Sequence, residues 1–309
     1  MAIAPFPTIP ELMGVAIAYR NRDMIADQVL PRVTPVGTEA FKYFVYSQAQ
    51  GFTIPDTKVG RRSKPNQVEF AAEERDGSTS DYALDDSIPV KDIQNAPKGI
   101  DPRAMSVEYI MNLIALDREV RVAGIVFNPA TYPTGNKVTL SGTSQFSDKT
   151  SDPIGVISDA LDACIVRPNT MVIGRPAFTV LARHPQIVSA CLRNSGQSGI
   201  ARRQDIADLF ELKEVQVGEA FVNNARKGQP AALSRCWGKH ISLIYKNPQA
   251  APQRDVTFGM TVPFGEPVAG AWPDRDIGMR GGERVRAGES TAEVISCADA
   301  AYFLQNVAA

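Results

Sequence analysis

The chain has only two residues of the commonest general-base type, His184 and His240, and neither stands in a catalytic setting. His184 closes a helical stretch just before Pro185, where an imidazole can meet the last helix carbonyls. His240 opens a strand-like run beside Lys239 and reads as a packing or surface residue. The four cysteines, Cys164, Cys191, Cys236 and Cys297, lie far apart with no CxxC pair, so no zinc or redox site is predicted. They read as buried thiols in a reducing compartment. No GxSxG elbow, P-loop, GxGxxG or HExxH is present, and Lys98-Gly99 and Gly281-Gly282 are isolated loop glycines. Asp81, Asp85 and Asp86 could face a hard cation, but the glycine and distal glutamate of a calcium loop are missing, so they read as a solvated acidic surface. The prediction is no catalytic residue, no metal ligand and no cofactor.

Charge is instead concentrated in one place. From Ser47 to Ala96 the chain is polar and rich in Gly, Pro, Ser and Asp, with large apolar residues confined mainly to Val68–Phe70 and Tyr82–Leu84. Such a stretch cannot build its own core, and long loops of this kind are functional or disordered. Arg61, Arg62 and Lys64 sit near one end; Glu73, Glu74, Asp76, Asp81, Asp85 and Asp86 follow. Two readings stand: a two-stranded arm with a basic tip and an acidic return strand, or a solvated flexible loop.

Positioning such a loop requires a folded body, and the bulk composition supplies one. The chain has 309 residues, 44% hydrophobic and 22% charged, enough to bury roughly three quarters of its surface. Its 33 Lys+Arg against 34 Asp+Glu give a net charge of -1, without the basic excess of a protein that grips phosphates. No basic n-region with an apolar core opens the chain, and no apolar run reaches membrane-spanning length, so neither secretion by a standard signal nor a membrane span is expected. Up to about Thr38 prolines mix with one small helical pattern, in which Ile17, Ile25 and Val29 share a side before Pro31 and Pro35. Phe41–Tyr46 reads as a strand. Asp101-Pro102 opens the strongest helix, with Asp101 as N-cap and an apolar face of Val107, Ile110, Met111, Ile114, Val122 and Ile125. It should run to about Phe127, near 38 Å at about 1.5 Å per residue.

Asp152-Pro153 repeats the helix start, followed by Ile154, Ile157, Leu161, Cys164 and Ile165 on a helical period. A strand at Thr170–Ile173, helices at Pro176–Arg183, Gln186–Leu192 and Gln204–Phe210, and a strand at Val215–Val217 complete an α/β unit over about 152–255. Arg193–Gly199 has the composition of a mobile loop. Strands are expected at His240–Tyr245, Val256–Val262 and Val294–Phe303, with Gly- and Pro-rich turns from Gly265 to Gly288. The class is α+β.

Particular strings resemble one family. Phe41-Lys42-Tyr43, then Ile54-Pro55-Asp56-Thr57-Lys58-Val59-Gly60, then Asp81-Tyr82-Ala83-Leu84-Asp85 look like the two ends of its extended loop. Asp152-Pro153, Pro168-Asn169-Thr170-Met171-Val172-Ile173-Gly174, Leu181 and His184-Pro185 resemble the first half of its α/β domain. Leu209-Phe210, Val215, Val217-Gly218, Ala220, Asn223 and Leu233 to Gly238, ending in Cys-Trp-Gly, resemble the second. Singly each string is weak, since Pro-Asn-Thr is a turn before a strand and Trp237 a core aromatic. In this order they resemble the HK97-type major capsid proteins of tailed phages across nearly the whole chain.

That resemblance implies an α+β fold with an N-arm and first strand (1–46), an extended β-hairpin E-loop (47–96), a P domain with a long spine helix (97–151), an A domain (152–255), and returning P-domain strands (256–309). It implies self-assembly into the pentamers and hexamers of an icosahedral head around double-stranded DNA, in a virion assembled in the bacterial cytoplasm. The implied partners are further copies of the chain, a separate scaffolding protein and a portal, with decoration proteins left open. DNA contact should be weak and non-specific, and no membrane is involved. Many modest, repeated contacts suit shell closure, and the expected ones are Arg61, Arg62 and Lys64 on acidic groups of a neighbour, with Glu73, Glu74 and Asp76 accepting basic ones. The N-arm, lacking a core, is expected to order only on a neighbour. Some relatives cross-link a loop lysine, for which Lys58 or Lys64 would stand, but no partner or catalytic acid is identifiable and non-covalent closure is the reading. Three alternatives remain: an encapsulin-like compartment, an α/β enzyme around His184 and Cys191, and a tail or other virion component.

Overall fold

In the computed structural model, the described residues are 7–18, 23–45, 54, 56–67, 73–192, 199–226, 228–252 and 256–309. The apolar stretch Val68–Phe70 and residues 193–198 of the expected mobile loop lie outside them.

The long helix forms where the sequence places it. This is α4, Pro102–Val126, in which the Asp101 carboxylate accepts the Arg103 N–H at 3.0 Å and Pro102 fills the first turn. Val107, Ile110, Met111, Ile114 and Val122 are buried on one side, each contributing about 1.5–3 kcal/mol. That side lies on a sheet built around β12 (Gly282–Ile295). One edge of β12 pairs with β10 (Gly259–Pro263) and β11 (Val268–Asp274), and the other pairs with β3 (Ser80–Pro89), all antiparallel.

A second sheet has the order β4-β13-β9-β5-β6. Its strands are Lys137–Thr139, Ala301–Gln305, Ile241–Ile244, Thr170–Gly174 and Glu214–Gly218. Helices α5 (Pro153–Asp162), α6 (Arg175–Arg183), α7 (Pro185–Leu192) and α8 (Arg203–Leu209) supply its α/β character. Met171, Ile173, Leu181, Ile187, Ile206 and Leu243 are fully buried there in one core. A second core, around Trp237, Phe258 and Phe303, joins this sheet to the far end of α4.

Several expectations need correction. The N-terminal region holds two helices, α1 (Pro10–Ala18) and α2 (Ala26–Val29), with Ile25 and Val29 buried but Ile17 facing out. Nor does this region wait for a neighbour. Leu12 and Ala16 pack with Ile110, Ile114 and Ala269, and Thr8 bridges Gly270, because the cleft between α4 and β11 provides the apolar partners the segment lacks. The polar stretch 47–96 is not one loop: 80–89 is β3, and 90–94 form α3 (Val90–Gln94). The region 265–288 is mostly strand. Gly282 and Gly288 serve close packing, since a Cβ on Gly288 would lie 2.6 Å from the Ala83 Cβ and one on Gly282 2.4 Å from the Ile88 carbonyl, while Gly265 and Gly278 take positive φ in turns. The final strand begins at Ala301, after a short 3₁₀ turn at Ala298–Ala300. A hairpin of β7 (Phe221–Asn223) and β8 (Leu233–Arg235) was not expected.

Candidate assembly site

The charged segment is a two-stranded arm. Its outgoing strand is β1, Ala40–Val45, and its return strand is β2, Glu73–Ser78, paired in antiparallel register from Ala40↔Ser78 to Val45↔Glu73. The root is anchored by Phe41, buried with Met260, Val262 and Val294. Opposite it stands Gly77, where a Cβ would lie 2.7 Å from the Phe41 ring, so the aromatic requires a glycine partner. Beyond the root β2 is largely exposed, while Tyr43, Phe44 and Val45 of β1 are half-buried.

Between the strands, a turn is held by its own backbone. Ser63 N–H donates to the Gly60 carbonyl at 2.9 Å, the Asp56 carboxylate accepts the Lys58 N–H, and the Asn66 amide donates to the Asp56 carbonyl. Arg61, Arg62 and Lys64 stand exposed on this turn, with the 92% exposed Ile54 nearby. No described residue offers those three cations a salt-bridge partner within the chain.

The acidic strand is differently placed. Glu74 pairs with Lys42 across the strands at 3.0 Å, Glu73 pairs with Arg75 at 3.1 Å, and Asp76 lies opposite Lys42. Glu74 beside it raises the Lys42 pKa above the usual lysine range. Exposed pairs of this kind contribute at most about 1 kcal/mol, so they orient side chains more than they hold the hairpin. Asp81 and Asp85 are exposed and Asp86 is half-buried, but they stand on a strand and not in a loop. They belong to β3, where Asp81 bonds Ser290, Asp85 meets Arg286 in two bonds of 2.6 and 2.7 Å, and Asp86 accepts the Ser106 hydroxyl at 2.7 Å. The Arg286 bonds hold the Asp85 carboxyl below the usual carboxylate range.

The body that carries the hairpin contains a feature the sequence reading passed over, a buried charged pair in mid-helix. Arg118 and Glu119 of α4 are 2% and 0% exposed. Glu119 accepts the Ile25 and Ala26 N–H groups at 3.0 and 2.8 Å and the Trp237 indole N–H at 2.5 Å. Burial pushes its pKa up, and those three donors and Arg118 oppose the rise. Arg118 bonds Asp27 at 2.5 Å and Thr261 at 3.0 Å, with Glu293 at 3.6 Å. Burial also pushes Asp27 up, but Arg118 and Arg32 outweigh it and hold that carboxyl low. One signal was available: Arg118 falls on the stripe Ile114, Arg118, Val122, Val126, where an apolar residue is expected.

The family-like strings meet at Trp237. Gly174 and Gly218 are register partners on β5 and β6. A Cβ on Gly218 would lie 2.1 Å from the Trp237 ring and one on Gly174 1.8 Å from the Gly238 carbonyl. Cys-Trp-Gly and the two strand-end glycines are therefore one packing unit.

The histidines are structural. His184 Nδ1 accepts the Gln186 N–H, so Nε2 carries the proton and donates to the Asp148 carbonyl at 3.2 Å. It thus caps the following helix and ties a loop, in place of the expected bond to its own helix end. His240 accepts the Asn306 N–H at 2.9 Å, lies against Phe127 and Phe303, and has a pKa lowered by burial. The cysteines form no disulfide, and burial pushes the Cys164 thiol up to about 12. Among the described residues no cluster of His, Cys, Asp and Glu could hold a metal ion, and no helix is long and apolar enough to cross a membrane.

An arm, a projecting charged hairpin, a long helix against a sheet, and an α/β lobe together make an HK97-type capsid fold, a subunit class built to tile shells. A phage-related protein from Bordetella bronchiseptica RB50 shares that fold, with a TM-score of 0.75 at 24% identity and 97% of each chain covered. No protein-family model matches the chain. The major capsid protein of Pseudomonas phage JBD67 is 50% identical over 309 residues, covering 100% of both chains. That of Burkholderia phage BcepMu is 28% identical, with 96% of each covered. The chain belongs to the phage major capsid proteins. It is a structural protein of the virion capsid that self-assembles into a shell, and the full-length identity favours this over a cargo compartment or an α/β enzyme.

Proposed function

We propose that copies of this chain join as pentamers and hexamers of an icosahedral head around double-stranded DNA, through non-covalent contacts made by the β1–β2 hairpin. The observation that carries this reading is the exposed turn bearing Arg61, Arg62 and Lys64, whose charges find no compensation within the described chain while those of Glu73 and Glu74 do. The basic tip is therefore the half that needs an outside partner, an acidic group on a neighbouring copy. Glu73, Glu74 and Asp76 accept basic groups where the flank of the arm meets a second neighbour. Contacts of this strength let misplaced subunits leave before the shell closes.

The chain does its work without catalysis, and the bacterial cytoplasm is where it assembles, with a separate scaffolding protein and a portal as partners. A net charge of -1 suits a container, since strong attraction to DNA would immobilise the packaged duplex. The test is the double charge reversal Arg61→Glu with Arg62→Glu. Shells scored by size-exclusion chromatography and negative-stain microscopy should fall sharply in yield while the subunit keeps its melting temperature. Unchanged yield and shell stability would sink the proposal.

A further inference from the structure

The hairpin leaves the body three residues beyond a strap bonded along β10. Residues 31–36 run beside β10: the Pro31 carbonyl accepts the Thr261 N–H, the Val33 N–H donates to the Thr261 carbonyl, and the Val36 N–H donates to the Pro263 carbonyl, each at 2.9 Å. β1 begins at Ala40. Just upstream, the segment from Ile25 to Arg32 is tied at successive atoms to charged groups on other elements. Glu119 holds the Ile25 and Ala26 N–H groups, Arg118 bonds Asp27 and the Leu30 carbonyl, Lys246 donates to the Gln28 carbonyl at 2.9 Å, and Arg32 meets Glu289 at 2.6 Å. The same Glu119 receives the indole N–H of Trp237, whose ring lies on Gly218 of the α/β lobe. One carboxylate on α4 therefore touches both the segment that leads into the strap and the indole packed on the lobe.

Apolar residues of similar volume often hold such a joint at least as firmly, because buried charges lose their hydration. What the charged version adds is direction, because the bonds at Ile25, Ala26, Gln28 and Leu30 each fix one backbone atom just upstream of the strap. We propose that Glu119 and Arg118 are positioning residues for assembly. They fix the pose of the strap, hence the angle at which the hairpin leaves, hence the curvature with which copies join. The lever is long: a six-residue strand spans roughly 20 Å, so a swing of about 10° moves its far end by roughly 3–4 Å, more than a hydrogen-bond length. A shell closes only if every copy presents the same angle, and an off-angle contact yields other sizes or open sheets. The inference rests on the reading that the hairpin carries the contact between copies.

The test uses the full chain expressed under conditions in which it forms shells. Glu119→Gln keeps the side-chain shape but turns one acceptor into a donor facing an N–H, and Arg118→Lys keeps the charge but loses the fork. For each variant the melting temperature of the unassembled subunit and the diameter distribution of the particles are measured, with the Arg61→Glu/Arg62→Glu double variant in parallel. Loss of a hydrogen bond to a charged group changes an equilibrium by roughly tenfold or more, so closed shells of native diameter should fall by about that factor, replaced by shells of other sizes or open sheets. Lowered melting with native-diameter shells in wild-type proportion would make the pair merely structural and overturn the proposal. If Glu119→Gln fails to fold, Trp237→Phe, which removes one N–H donor and keeps an aromatic ring, carries the same expectation and the same refutation. Changed diameters beside an unaffected Arg61/Arg62 variant would overturn the hairpin reading and leave the strap as the determinant of curvature.

Discussion

Gly218→Ala is a sharp test of the packing unit that joins the α/β lobe to α4. The added Cβ would sit 2.1 Å from two Trp237 ring atoms, 1.3 Å short of the 3.4 Å at which ordinary contact begins. Trp237 has little room to retreat: it is fully buried, its ring meets Phe127 edge-on at 5.1 Å, and its indole N–H is bonded to Glu119. Gly218 is also held, in register with Gly174 on β5. Overpacking of this kind costs about 1–3 kcal/mol, and a Trp237 shift that breaks the bond to Glu119 adds about 1.5–3 kcal/mol. At roughly 2–4 °C per kcal/mol for a large domain, the melting temperature should drop by about 5–24 °C. The assay is thermal unfolding of the unassembled subunit followed by circular dichroism. Gly124→Ala serves as the internal control: it lies in α4 with nothing within 4 Å of the new Cβ and should raise stability by up to about 1 kcal/mol. A Gly218→Ala midpoint equal to that of the wild type would refute the argument.

Arg118→Met should cost about 1–3 kcal/mol in urea unfolding, because Thr261 and the Leu30 carbonyl lose a buried donor while Glu293 keeps Arg121 at 3.0 Å and Asp27 keeps Arg32, whereas Arg75→Ala should cost no more than about 1 kcal/mol. Asp101→Ala, which removes the cap on α4, should lower stability by about 1 kcal/mol in the same assay. His240 is half-buried with a lowered pKa, so as pH falls the unfolded chain takes up its proton first, near the ordinary value of about 6.5, and the folded state loses stability on the acid side. A His240→Gln variant should show a shallower loss between about pH 7 and pH 5 in urea midpoints measured across that range. Cys164 and Cys297, both buried, should resist a thiol reagent in the native protein and react on unfolding.

What was legible in the sequence was what neighbouring residues decide. The start of α4 is written in Asp101-Pro102 and its buried face in a 3.6-residue period; the α/β lobe likewise announced its helices through Asp152-Pro153 and its apolar spacing. What escaped was decided by distant partners. β3 carries Asp81, Asp85 and Asp86 and looked like loop because the residues that neutralise or bond them, Arg286 and Ser290, come about two hundred positions later. β12 looked like turn because Gly282 and Gly288 on it admit the close approach of β3, a need that no local pattern encodes. The basic half of the proposed assembly site was legible as a charge cluster, and the turn that displays it follows from Asp56, Gly60 and Asn66. Arg118 and Glu119 were not singled out, although Arg118 breaks an apolar stripe, because charge within a helix is ordinarily solvated and only the fold buries this pair.

The central claim is that the hairpin tip of one copy finds its partner on another. A cryo-electron microscopy reconstruction of closed shells formed by the full chain tests it most directly. Five- and six-membered rings are expected, in which Arg61, Arg62 and Lys64 lie within ion-pair distance, about 4 Å, of carboxylates on a neighbouring copy. A tip folded onto its own subunit, or standing in solvent between copies that touch elsewhere, would contradict it.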